Sequence, residues 1–330
     1  MKPHEKYKHL VKEFELKDGP EGLYPDKLFW MESKDMEGFK CIYSFMYIKE
    51  PTQFHPMEGA IVHPYDELLV FAGLDRSDIS SFDAELSIEI GEEREEYTFD
   101  RPTVVVIPKG TVHGPVKVKR VGELAIVHYS IGLASEYRAS SVVLGDPVPG
   151  NKYERYIQPL CSYMTSKATS DAGSGMGYED VVDEKGVLHP KEKGIGPGNG
   201  DQIFWMYGVD LEGLDVNFTW GMYSGLGKWH VSGEVHTHPE EEILIFVGFD
   251  PDNPLYLGAE VEMGMGPEVD RYVLNKPGLY IAPKGFPHLP MITRWCDVPG
   301  YGFMVVCLDG NHASPWVELD LDEMEASGEW

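Results

Sequence analysis

The sequence is poor in cysteine and in positive charge, and it has no long apolar run. The four cysteines, Cys41, Cys161, Cys296 and Cys307, show no Cys-x-x-Cys spacing, which excludes a disulfide-stapled scaffold and a zinc ribbon and reads as free thiols in a reducing compartment. Lys and Arg number 28 against 55 Asp and Glu, a formal charge of -27. A field of that sign repels phosphate backbones and anionic headgroups, so no nucleic-acid partner is expected. No stretch reaches the roughly 18 apolar residues that a membrane-spanning helix needs, and the charged start, Met1 to Lys12, lacks the apolar core of a secretion signal. A cytoplasmic protein with no membrane partner is the expectation. Helical periodicity is scarce as well.

What the sequence does have is an internal repeat. Setting each residue against the one 175 positions later aligns Asp26–Pro115 with Asp201–Pro290 without a gap. Phe29, Trp30 and Met31 meet Phe204, Trp205 and Met206. His55 meets His230, and His63, Pro64 and Glu67 meet His238, Pro239 and Glu242. Pro108, Lys109, Gly110 and His113 meet Pro283, Lys284, Gly285 and His288. The telling mismatch is Ile61 against His236. Within each copy, alternating residues broken by Gly, Pro, Asp and Asn clusters predict short antiparallel strands, hence an all-β barrel or jelly roll in each copy. The expected organisation is an N-terminal extension over 1–25, a first barrel over 26–139, a Gly- and charge-rich connector over 140–200, a second barrel over 201–317 and an acidic tail over 318–330.

The second copy carries the densest chemistry. In His236-Thr237-His238-Pro239-Glu240-Glu241-Glu242, strand alternation sends His236 and His238 to one side, and Glu242 shares their parity; a bulge would bring in Glu241 instead. His288, just after the Pro283–Gly285 turn, can close the set from a neighbouring strand. Three imidazoles and a carboxylate form a mixed N/O donor set for one divalent transition metal: Fe, Mn, Ni, Cu, Co or Zn.

These motifs resemble the cupin superfamily, and specifically its two-domain members, the bicupins. His236, His238 and Glu242 match the first cupin motif, while Pro283, Gly285 and His288 match the second. The motif's leading glycine is replaced by His230, and by His55 in the first copy; the closing glycine falls one residue early, at Gly248 and Gly73. For His55 and His230 two readings stay open: a turn histidine bonded to backbone, or a group that orients a ligand or moves a proton. The resemblance implies two double-stranded β-helix (jelly-roll) barrels, a three-His, one-Glu metal site in the second, and association into a homo-oligomer.

In the first copy Ile61 removes one histidine and leaves His63, Glu67 and His113. That set can still hold a second metal in a facial arrangement, although a structural, non-catalytic barrel with a degenerate site is the favoured expectation.

Fold alone does not choose a reaction. Trp220, Tyr223, Trp229, Tyr280, Met291 and Trp295 flank the second-copy motifs and suggest either an apolar pocket or a filled core. Arg294 is the candidate for a bidentate hold on a substrate carboxylate; Tyr223 and His230 are the candidates for moving a proton. The leading expectation is a non-haem iron, dioxygenase-type oxidoreductase with Fe(II), acting on a small, aromatic or hydroxylated organic substrate. The alternatives are a redox-neutral metal-dependent decarboxylase, isomerase or lyase, and a non-catalytic metal or small-molecule binding protein.

Overall fold

A computed structural model describes residues 5–161, 203–223, 225–228, 235, 237, 239–297 and 300–310, with the backbone of 181–182 and 188–189. The chain is all-β. Its described elements are strands and 3-10 turns, and they fall into two compact units, Glu15–Leu160 and Met1–Phe14 with Cys161–Trp330.

In the first unit a seven-stranded sheet runs in the order Ile157–Pro159, Thr103–Ile107, Glu67–Gly73, Ile126–Gly132, Ile42–Ile48, Leu28–Met31, Leu16–Lys17. A second sheet runs Ser140–Val142, Ala60–Val62, His113–Val121, Ala84–Ile90, Glu95–Phe99, and Thr52–Phe54 also pairs with His113–Val121. Runs such as Thr103-Val-Val-Val-Ile107 are β-branched throughout, and all five residues are buried, as expected of strands packed on both faces. Leu69, Phe71 and Val105 of the first sheet share one apolar core with Leu86, Ile88 and Val116 of the second. Burying one face of each sheet against the other is what stabilises such a two-layer domain.

The second unit repeats this plan. Its larger sheet runs Val11–Glu13, Gly278–Ala282, Glu242–Val247, Tyr301–Cys307, Asn217–Tyr223, Ile203–Met206; its smaller one runs Gly227–Lys228, His288–Cys296, Ala259–Met265, Asp270–Leu274. Ile42–Ile48 and Asn217–Tyr223, Ala84–Ile90 and Ala259–Met265, and Ile126–Gly132 and Tyr301–Cys307 keep the same 175-residue offset, so the duplication continues past Pro115 into strands whose side chains have diverged. Gly73 and Gly248 mark a shared constraint: a Cβ at either would come within 2.0 Å of the Ser81 carbonyl oxygen or 1.9 Å of the Tyr256 one. Only glycine lets the backbones pass so closely.

Segments expected to lie outside the barrels take part in the sheets. Val11–Glu13 pairs with Gly278–Tyr280, Ser140–Val142 pairs with Ala60–Val62, and Ile157–Pro159 covers the edge of Thr103–Val105. Flanking sequence thus closes strand edges that would otherwise expose unpaired backbone groups.

Candidate metal centre

Four side chains of the first barrel converge: His55, His63, Glu67 and His113 each offer one ligand atom, and these atoms all lie within 4.8 Å of one another. Each comes from the end of a strand. His55 follows Thr52–Phe54, His63 follows Ala60–Val62, Glu67 opens Glu67–Gly73 and His113 opens His113–Val121. None of the four is more than 2% exposed.

Their geometry calls for a cation. Oε2 of Glu67 lies 3.0 Å from His55 Nε2, 3.1 Å from His63 Nε2 and 3.8 Å from His113 Nε2. One carboxylate oxygen cannot satisfy three imidazoles, and the Nε2 atoms of His63 and His113 are buried without a hydrogen-bond partner. Their far sides are fixed: His63 Nδ1 meets the Arg138 carbonyl at 2.9 Å, and His113 Nδ1 meets the Thr111 carbonyl at 3.0 Å. A carbonyl only accepts, so Nδ1–H donates in both and the lone pair of each Nε2 faces inward, the tautomer that metal ligation requires. Burial and the neighbouring His55 push His113 down to about 3, which keeps it neutral. Burial alone would raise the Glu67 carboxyl, but His55 and His63 beside it hold it well below the usual range. Burial likewise works against charge on His63, yet the Glu67 carboxylate wins and raises it. Three imidazole nitrogens and one carboxylate oxygen, converging and desolvated, fit a divalent transition metal.

The first barrel therefore corrects the expectation of a degenerate three-residue set. Ile61 packs in the apolar core opposite His113 in register, and the missing imidazole is supplied by His55 from the adjacent strand. His55 is not a turn histidine tied up with backbone through its ring: its side chain points at Glu67. The one signal for this in the sequence was the pairing of His55 with His230 across the repeat.

In the second barrel Glu242 and His288 are buried, with His288 Nε2 3.4 Å from Glu242 Oε2. His288 Nδ1 meets the Phe286 carbonyl at 2.9 Å, repeating the His113–Thr111 arrangement. His230, His236 and His238 lie outside the described residues. Arg294 does not fit the role expected of it. Its guanidinium forms a bidentate pair with Glu262 at 2.8 and 3.0 Å, and its side chain is half exposed, so the planar fork that would grip a substrate carboxylate is already taken. Tyr223 is buried, its ring 5.9 Å from that of Tyr301. Trp220, Tyr280 and Met291 fill the core, whereas Trp295 is half exposed; Tyr280 gives its hydroxyl to carbonyls of Val261 and Tyr272. Trp229 is outside the described residues.

No family model and no curated protein matches the sequence. Solved structures do match. Oxalate decarboxylase from Bacillus subtilis, determined at pH 4.6, aligns at a TM-score of 0.51 and 11% identity over 97% of this chain and 81% of that one. A two-residue deletion mutant of the same enzyme aligns at a TM-score of 0.54 and 10% identity, covering 97% and 84%. The fold is that of a bicupin. At such identity the likeness carries the bicupin architecture and no activity, and the candidate metal centre rests on this chain's own side chains.

Proposed function

We propose that this bicupin is a metal-dependent enzyme that carries out redox-neutral chemistry on a small organic acid, decarboxylation first among the possibilities. The observation that carries the metal is the convergence of His55, His63, Glu67 and His113 with inward, partnerless Nε2 atoms at His63 and His113. The decarboxylase reading is favoured over the dioxygenase one because the structural neighbours named above are oxalate decarboxylases.

A bound divalent metal would act as a Lewis acid toward a substrate oxygen. The chain's own residues shape the rest. A cavity of about 410 Å³ is walled by Pro56, Ile61, Tyr137 and Ser141, with Glu21 and Glu58 also lining it; Pro56 follows His55 in the chain and the Tyr137 ring packs on His63, and none of the four cluster side chains lines the cavity itself. Its size suits a small organic molecule. No Lys or Arg stands among its described lining residues. Ile61 keeps the wall apolar, and the Tyr137 ring sits edge-on to His63 at 5.4 Å between centroids, holding that ligand and excluding water.

For the second barrel the proposed ligands remain His236, His238, Glu242 and His288, with His230 and Tyr223 as the groups that move a proton. Redox-neutral chemistry removes the special claim of Fe(II), and Mn, Co, Ni or Zn serve equally. A homo-oligomer and a cytoplasmic location remain part of the proposal; among the described residues no helix is long and apolar enough to cross a membrane.

The test is elemental analysis of the purified protein, followed by anaerobic incubation with oxalate and a panel of small carboxylic and hydroxy acids. Carbon dioxide release without oxygen uptake supports the proposal. Turnover that needs dioxygen returns the assignment to a dioxygenase, and a metal-free protein that binds none on titration removes the enzyme reading.

A further inference from the structure

His55 differs from the other two imidazoles of the first-barrel cluster in one respect. His63 and His113 each give Nδ1–H to a carbonyl, which fixes their tautomers. The Nδ1 of His55 instead meets the hydroxyl of Tyr24 at 3.3 Å, and a hydroxyl can donate or accept. Tyr24 Oη is in turn 3.1 Å from Ser44 Oγ, which is 2.7 Å from Ser130 Oγ. All of these residues are buried, so the chain of hydroxyls has no bulk water to reorganise it.

The segment that brings Tyr24 in also grips the His55 backbone. His55 N–H donates to the Leu23 carbonyl at 2.7 Å and Met57 N–H to the Gly22 carbonyl at 2.8 Å. His55 itself is left-handed, with φ of 52°, a conformation that a non-glycine residue keeps only when its surroundings enforce it. The Tyr24 ring stacks on Phe54 at 5.8 Å, fixing the direction of its hydroxyl.

We propose that Tyr24 is a positioning residue that selects the tautomer of His55, and that the Tyr24–Ser44–Ser130 hydroxyl chain reverses direction when a metal loads; this rests on the reading that the first barrel binds a metal. Without metal, His55 gives Nε2–H to Glu67, 3.0 Å away, and its Nδ1 accepts from Tyr24. A metal on Nε2 requires the proton on Nδ1. Tyr24 then accepts from His55 and donates to Ser44, and Ser44 donates to Ser130. The exchange leaves one ring proton on Nδ1 in place of the one on Nε2 and changes no net charge, and each hydroxyl ends donating in the opposite sense. Phenylalanine at position 24 would keep the ring packing and leave Nδ1–H buried without an acceptor.

The experiment uses the full chain with His236→Ala and His288→Ala in the second barrel, titrated anaerobically with Co(II) and followed by its visible absorption, alongside ¹⁵N chemical shifts of the His55 ring recorded with diamagnetic Zn(II) in place of Co(II). Tyr24→Phe is expected to weaken Co(II) binding about 10- to 100-fold, as loss of a ligand's hydrogen-bond partner does, and Ser44→Ala to weaken it less. The His55 shifts should change from the Nε2–H to the Nδ1–H pattern on loading in the parent protein. If binding requires His63 yet is indifferent to both Tyr24→Phe and Ser44→Ala, or the His55 tautomer is the same before and after loading, the Tyr24 proposal fails alone. If Co(II) binding survives His63→Ala, the first-barrel metal reading fails and takes the proposal with it. Should Tyr24→Phe not fold, Ser44→Ala and the ring shifts decide.

Discussion

His55 Nε2 lies 3.0 Å from Glu67 Oε2, so the imidazole that the first barrel lacks at Ile61 is restored from a strand that the cupin motif does not use for a ligand. In sequence the second copy has His236 at the position of Ile61, whereas the first barrel uses His55, twelve residues before its glutamate. Replacing His55 by alanine is expected to remove the first-barrel metal while leaving the fold intact. Elemental analysis of His55→Ala beside His63→Ala would show equal losses; retention of metal in His55→Ala alone would make His63, Glu67 and His113 the true set.

Gly114 ties two of these ligands together. It follows His113, has a φ of 89° and leaves so little room that a Cβ would come within 2.4 Å of the His55 carbonyl oxygen. Gly114→Ala should destabilise the first barrel by about 2 kcal/mol or more, from left-handed strain and backbone contact together. It should also weaken metal binding, because any relief moves His55 or His113. Thermal unfolding and Co(II) titration of the variant measure the two effects separately; no change in either would mean that the backbones have room to part.

His128 sits in the same core away from the ligand set, its ring stacked on Phe71 at 4.7 Å and its Nδ1 meeting the Val70 carbonyl at 3.1 Å. Burial pushes it down to about 3 from 6.5. A depressed histidine is neutral when folded and takes a proton when unfolded, so the unfolded state binds more protons between those two values. Its contribution is complete above the unfolded pKa and is lost as pH falls toward the folded one, at about 1.4 kcal/mol per pH unit. His128→Phe should therefore flatten the fall in stability between roughly pH 6 and pH 4. Chemical denaturation of the metal-free protein across that range is the check, and an unchanged slope would mean that water reaches the ring.

Arg294 pairs with Glu262, which Arg271 also approaches at 3.4 Å. Arg294→Ala should lower stability by about 1 kcal/mol or less, since its side chain is half exposed and the pair is screened. It should leave kcat and KM unchanged for whatever substrate turns over. A rise in KM confined to acidic substrates would restore the carboxylate-binding role.

The sequence by itself determined the duplication, the all-β class and the ligand types, because these are encoded locally: strand period, turn residues and motif spacing survive in linear order. His63, Glu67 and His113 were legible for that reason. The role of His55 was not, since strand parity says which side chains of one strand share a face but not which neighbouring strand ends beside them. Register and the turn around Pro56 bring His55 beside Glu67, and that is a tertiary fact. Tyr24 left no trace at all. It lies before the repeat begins, and only the hydrogen bonds of Gly22 and Leu23 to the His55 segment carry its hydroxyl to the imidazole. Likewise Arg294 looked free in the sequence, and tertiary pairing with Glu262 decided otherwise: a guanidinium near a buried carboxylate is held by charge and hydrogen bonds that residue spacing does not record.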